Sequence, residues 1–309
     1  MRRPNSMRHL DDAIRRLCGG APQDFVRART VMANAIVASM LPDGVVKGGS
    51  ALKMRFGEEN TRFTTDLDTA TATDPAAYAA QLDSGLRSGW EGFSGRVVEK
   101  DPASPDGIPE QYVMQPYDVK LDYLGKPWCT VPLEVGHNEI GDADAPDWAE
   151  LADAGELFEA MGFPAPGRAP LMPLDHQIAQ KLHAVSGPGD RARDLIDLQL
   201  IDARAEVDLT AARAACRRLF SYRRAQAWPP AIAKRKGWDE MRCTPPSQRA
   251  CPCSRMLTRR FGGPMNSSPG SKTPGRLRRK RTGDAGLGKA RSRNGACLLL
   301  LSCHAIKTP

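Results

Sequence analysis

The sequence predicts an α+β chain: a mixed sheet with covering helices, then a helical C-terminal part, then a basic tail of low order. Three observations carry this. Between residues 1 and 170, stretches with apolar residues at helical spacing alternate with short runs of period two, the pattern of a sheet covered by helices. From 171 to 224 only the helical period remains, and from Arg242 onward both periods vanish into Pro, Ser, Arg, Cys and Gly. With 309 residues and 41% hydrophobic content, the chain is long enough for two domains. We place divisions at 1–150, 151–242 and 243–309.

Residues 7 to 40 read as helix, broken at Cys18-Gly19-Gly20-Ala21-Pro22; in the second half Phe25, Val31, Ile36 and Met40 recur near helical spacing. Leu41-Pro42-Asp43-Gly44 stops that helix and leads into a short buried strand at Val45-Val46. Gly48-Gly49-Ser50 then reads as a tight turn, Ala51 to Phe56 as a short helix, and Thr61 to Ala70 as the next strand. Asp74-Pro75 starts a helix that runs to Ser88. Strands follow at Phe93–Lys100, Gln111–Leu124 and Trp128–Val135. Residues 136 to 170 read as a connection with one helical piece from Asp147 to Phe158. Helices are expected at His176–Ser186, Arg191–Asp202 and Thr210–Arg224.

Two stretches carry chemistry. The successive N–H groups of the glycine turn, the Ser50 hydroxyl and the start of a helix all favour an anion, so a phosphate fits there. Sixteen positions after Ser50 comes Asp66-Leu67-Asp68. On a strand, residues i and i+2 project from one face, so these carboxylates converge as hard oxygen ligands for magnesium. Taken singly, Gly-Gly-Ser is an ordinary turn and Asp-x-Asp a solvated pair; their combination is the signal. In Tyr117 to Tyr123, alternation puts Asp118, Lys120 and Asp122 on one face. That face is either a solvated charged stripe or the source of a third acid.

Lys47-Gly48-Gly49-Ser50-Ala51-Leu52 followed by Arg62-Phe63-Thr64-Thr65-Asp66-Leu67-Asp68 resembles the nucleotidyltransferase superfamily with a DNA-polymerase-beta-like fold, and within it the AbiEii/AbiGii toxin family. A second match is the helical pair Gln177 to Ala184 and Arg191 to Leu198; the resemblance covers about residues 25 to 240. It implies a nucleotidyltransferase catalytic domain in 1–150 and a helical domain completing the active site in 151–242. It further implies Asp66, Asp68, Lys181 and Asp194 as catalytic residues and Gly49, Ser50, Lys53 and Arg62 as nucleotide-binding residues. Asp66 and Asp68 would be metal ligands, with Asp122 as third acid and Asp118 in its place if the register differs. The implied cofactor is magnesium, with manganese as the alternative ion, and the substrate an NTP. The implied partners are a cognate antitoxin and an acceptor, tRNA first, in a type IV toxin–antitoxin or phage-defence (abortive infection) system. Plainer roles stand beside these: Arg62 could pair with a structural carboxylate, Arg191, Arg193, Asp194 and Asp197 could be surface pairs, and His176 and His183 read as packing residues. A small-molecule or protein acceptor, or a non-catalytic remnant that binds nucleotide or a partner, is the alternative function.

Charge is unevenly spread. The whole chain carries +8 with a pI near 9.2, but residues 243 to 309 hold 14 Lys plus Arg against the single acid Asp284. The preceding 242 residues are therefore net −5, which argues against a broad nucleic-acid groove and leaves a local basic patch at Arg213, Arg217, Arg218, Arg223 and Arg224 to hold an RNA end. The tail reads either as a basic nucleic-acid-binding segment or as out-of-frame translation. Cys18, Cys129 and Cys216 show no ligand spacing, and Cys251-Pro252-Cys253 lacks a second pair. No secretory leader is visible, and the Cys297–Cys303 apolar run is too short to span a bilayer. The expected location is cytoplasmic, with no membrane partner.

Overall fold

The computed structural model describes residues 3–102 and 113–232. Among them seven strands form one mixed sheet: β1 (Val45–Val46), β2 (Leu67–Thr71), β3 (Phe93–Glu99), β4 (Gln115–Tyr123), β5 (Lys126–His137), β6 (Asp147–Ala149) and β7 (Ala169–Leu171), in spatial order β3-β4-β5-β2-β1-β7-β6. β2 runs parallel to β5 and antiparallel to β1, and β1 runs parallel to β7. β4 and β5 form a hairpin whose turn residues Leu124 and Gly125 both have positive φ, the backbone twist a two-residue turn needs.

Alternation decides the two faces. Leu67 on β2, Tyr117, Val119 and Leu121 on β4, and Val131, Leu133 and Val135 on β5 are buried together under α1 (Met7–Leu17), α2 (Pro22–Ser39), α4 (Pro75–Ser88) and α5 (Ala152–Ala160). Phe93 sits at the centre of an aromatic group, with ring centroids 4.7 Å from Tyr123, 5.2 Å from Trp128 and 5.6 Å from Phe163. Capping matches the sequence: Ser6 accepts from His9 N–H before α1, and Asp74 accepts from Ala76 and Ala77 N–H before α4, each satisfying donors that the first turn leaves open.

A second core lies beyond the sheet. α6 (Leu174–Ser186), α7 (Ala192–Arg204) and α8 (Leu209–Arg223) bury Ile178, Leu182, Ile201, Cys216 and Leu219 against Leu52 of α3 (Gly48–Phe56). α3 is the seam, with Ala51 in the sheet core and Leu52 in the helical one.

Three expectations change. Gly48-Gly49-Ser50 is the first turn of α3 rather than a loop before it. Asp147–Ala149 is an edge strand, so only the later part of the expected helical piece is helix. β7 completes the sheet and Leu151, Leu157 and Phe158 belong to the sheet core, so that core extends past residue 150 to Leu171. The basic tail from residue 243 lies outside the described residues.

Candidate active site

The strand carrying Asp68 begins only at Leu67, and Thr61 to Asp66 is extended chain without strand partners. Three side chains hold it in place through successive carbonyls. Lys53 Nζ donates to Thr64 O at 3.0 Å, Asn34 Nδ2 to Thr65 O at 3.5 Å, and Ser50 Oγ to Asp66 O at 2.5 Å. Ser50 and Lys53 are one turn apart on the buried side of α3, 1% and 6% exposed. The Ser50 hydroxyl and the Lys53 ammonium, which also pairs with Glu58 at 2.6 Å, are engaged in positioning the acidic segment, so a nucleotide contact from either side chain would have to share it.

Of the two glycines it is Gly48 that faces the acid. Its φ is +67°, and a Cβ there would run into the Asp68 carboxylate. Gly49 lies under Arg62 instead, since a Cβ would stand 2.7 Å from Arg62 Nη2 and 2.9 Å from Thr64 Oγ1. Arg62 in turn pairs with Asp197 (3.4 Å), the structural carboxylate foreseen as its other role.

Register sets which acid lies beside Asp68. Asp68 is paired with Glu134 on the parallel neighbour β5, which puts the two carboxylates on one face of adjacent strands. Pro116 is the β4 residue opposite Glu134, while Asp122 is opposite Pro127 beside the hairpin turn. Asp122 does share the face alternation predicts, but six residues along the strand is roughly 20 Å. Asp118, the fallback, lies opposite Pro132 and pairs with Lys100 at 3.4 Å. Glu134 is the acid that sequence reasoning missed: the run Trp128–Val135 was legible as a strand, but its parallel pairing with β2 was not.

A cavity of about 210 Å³ opens beside Asp68, lined by Lys47, Gly48 and Asp68 on the sheet side and Gln177, Lys181, Arg191, Asp194 and Arg223 on the helical side. No described side chain donates a hydrogen bond to the Asp68 carboxylate. Burial, countered by Lys47 and reinforced by the Glu134 and Asp66 charges, pushes its pKa up to about 6. Asp66, one residue before the strand, is exposed and accepts from Thr65 Oγ1.

The helical side is arranged in the opposite way. Lys181 is buried, and its Nζ lies 2.7 Å from Asp197 and 3.4 Å from Asp194. Asp194 also pairs with Arg191 at 3.0 Å, and Asp197 with Arg62. The result is one alternating chain of charge, Arg191–Asp194–Lys181–Asp197–Arg62, from the cavity to the acidic segment. Lys181 and Asp194 do come together as expected, yet Asp197, read from the sequence only as a surface pair, is 2% exposed and holds Lys181 more closely. Arg223, also missed as a cavity residue, is gripped by both Glu139 oxygens, with its Nη2 at 2.6 Å from Oε2. His183 beside it is pushed down to about 4 by burial and by the Arg223 and Arg191 charges, so it packs as a neutral ring on Phe220.

Whether the acids suit a divalent ion can be tested on this geometry. Among the described residues no three His, Cys, Asp or Glu side chains form a ready cage. A half-buried carboxylate beside a second carboxylate and facing a cavity nevertheless fits a magnesium ion, which takes one or two acids and completes its shell with water and substrate phosphates.

Comparison with curated proteins gives no match. Among solved structures the chain is similar to MenT4, a nucleotidyltransferase toxin from Mycobacterium tuberculosis H37Rv, at 21% identity over 67% of this chain and 68% of that one, TM-score 0.46. It is also similar to JHP933 from Helicobacter pylori, at 16% identity over 77% of this chain and 91% of that one, TM-score 0.36. A family model matches residues 30–262, well over half of the chain and past the end near residue 240 expected from the sequence. The chain thus belongs to the nucleotidyl transferase AbiEii toxins of type IV toxin–antitoxin systems and is an NTP-dependent nucleotidyltransferase.

Proposed function

We propose that the cavity between Asp68 and Lys181 is the site where a nucleoside monophosphate passes from an NTP to an acceptor hydroxyl in a magnesium-dependent reaction, with tRNA as the acceptor. The carrying observation is the half-buried Asp68 carboxylate, beside Glu134 with no hydrogen-bond donor among the described side chains, and facing Lys181, Arg191 and Arg223 across the cavity. Asp68, with Glu134 beside it and Asp66 at the strand entrance, would hold the ion, which when bound supplies positive charge to the reacting phosphate oxygens. Lys47, Lys181, Arg191 and Arg223 face the same space and offset the triphosphate charge. Gly48 lets backbone approach closely where a side chain would intrude. The acceptor oxygen forms its bond to the α-phosphorus as the bond to the β-phosphate bridge breaks, and pyrophosphate leaves. Glu134, which forms no ion pair among the described residues, takes the hydroxyl proton. Asp194 and Asp197 keep Lys181 charged and aimed.

The family supports a cognate antitoxin as partner, and we place the protein in the cytoplasm; no helix among the described residues is long and apolar enough to cross a membrane. Purified full-length protein with magnesium, each labelled NTP in turn and total tRNA tests the reading. Label moving to RNA with the wild type but not with Asp68→Ala supports it. A folded sample that labels no RNA, protein or small-molecule acceptor refutes it and favours a non-catalytic remnant.

A further inference from the structure

Helix α8 is unusually one-sided in charge. It carries Arg213, Arg217, Arg218 and Arg223, is closed by Arg224 in the left-handed conformation, and contains no acidic residue. The structure divides these five. Arg223 turns inward to Glu139 and the cavity, and Arg218 donates to His176 Nε2 at 3.1 Å. Arg213 and Arg217 are exposed on α8, four residues and about 40° apart around the helix, and Arg224 is exposed at its left-handed cap. Along the axis the steps are roughly 6 and 10 Å. Among the described residues none of the three forms an ion pair, in a chain whose first 242 residues are net acidic. The row is therefore a local reversal of sign, and it ends one residue from a cavity side chain.

We infer that this face of α8 is the docking track for the phosphate backbone of a polynucleotide acceptor, which lies along Arg213, Arg217 and Arg224 and hooks over the end of the helix to present its terminal hydroxyl beside Arg223. The inference rests on the nucleotide-transfer reading for its direction of approach, and on the arginine row for its location. Arginine suits it because the planar guanidinium grips phosphate oxygens in pairs and is weakly hydrated. An acidic protein could use the same charges. What favours a polynucleotide is that the row leads to the place where a hydroxyl must arrive. The positive charge is also strung out in a line, matching a chain of regularly spaced phosphates.

The test uses full-length protein in wild-type form and as the triple variant Arg213→Glu/Arg217→Glu/Arg224→Glu. None of these side chains is in the transfer machinery, and thermal melts check that the fold is kept. Binding of a fluorescent RNA of tRNA length is measured by anisotropy between 50 and 200 mM salt, and label transfer is measured to that RNA and to a trinucleotide too short to reach along α8. Removing three phosphate contacts should weaken binding at least tenfold at low salt and make the slope of log K against log salt shallower by about two, at roughly 0.7 per phosphate. Transfer to the long RNA should fall in parallel while transfer to the trinucleotide stays the same. The 14 tail cations are identical in both proteins, so the difference reads α8 alone. Unchanged RNA binding would overturn the inference, including the case where the row serves an acidic protein. Equal loss of transfer to both acceptors, with RNA binding unchanged, would overturn it as well. If the wild type binds RNA through this row but transfers label to nothing, the docking track stands and the nucleotide-transfer reading falls.

Discussion

The two walls of the cavity handle charge in opposite ways. On the helical wall every charge has a partner: Lys181 lies between Asp194 and Asp197, and Asp197 between Lys181 and Arg62. On the sheet wall Asp68 is half-buried next to another carboxylate, with no donor among the described side chains. The helical wall is complete as folded, whereas the sheet wall is an electrostatic debt that a bound cation would cancel. Substitution should therefore harm stability on one side and activity on the other.

The sharpest separation comes from Asp68→Asn. Label transfer should fall by about 10³-fold, the scale for removing a preorganised electrostatic group. Thermal stability near pH 8 should hold or rise, because a carboxylate with a raised pKa is more costly charged than neutral. A destabilised Asp68→Asn would break the comparison. Asp197→Ala should do the reverse first, lowering stability by about 3 kcal/mol in denaturant titration, since it strands Lys181 in a buried site. If its midpoint does not move, the helical wall is not held by that pair. Gly48→Ala should cost about 1 to 2 kcal/mol for its positive φ and displace Asp68, so both readouts should drop together.

The smallest effects are in pH dependence. Asp68, raised from 3.8 to about 6, binds a proton more tightly folded than unfolded, so its contribution to stability falls as pH rises from about 4 to about 6. His183, lowered from 6.5 to about 4, is neutral when folded, so its contribution is present above about 6.5 and lost as pH falls toward 4. Melts of Asp68→Asn and His183→Asn across pH 4 to 8 should flatten the profile in opposite directions.

Much of this was legible in the sequence where a local period carried it. Helices α2, α4, α6, α7 and α8 and the three strands β3, β4 and β5 follow from spacing, and the Gly48 and Asp68 neighbourhood from a compact motif. What was not legible depends on pairing. The three-residue strands β6 and β7 are too short to show alternation. Glu134 becomes a neighbour of Asp68 only through parallel pairing, which no local pattern encodes, and Asp122 was preferred because its own strand alternates so clearly. Ser50 and Lys53 look like phosphate ligands by type, and only the fold shows that their side chains also brace Thr64 and Asp66. The arginines of α8 form one patch in sequence and three environments in space, because 100° per residue spreads them around the helix.

Arg62 and Asp197 meet across 135 positions of chain. A ribosome must therefore deliver α6 and the first half of α7 before the acidic segment gains its far anchor, and such distant closures are slow to form. A nascent or prematurely released fragment ending before α7 holds Asp66, Asp68 and Lys181 but lacks Asp194 and Asp197, the two carboxylates that pair with that lysine. The charge chain across the cavity is thus a long-range feature that closes only once α7 has been made.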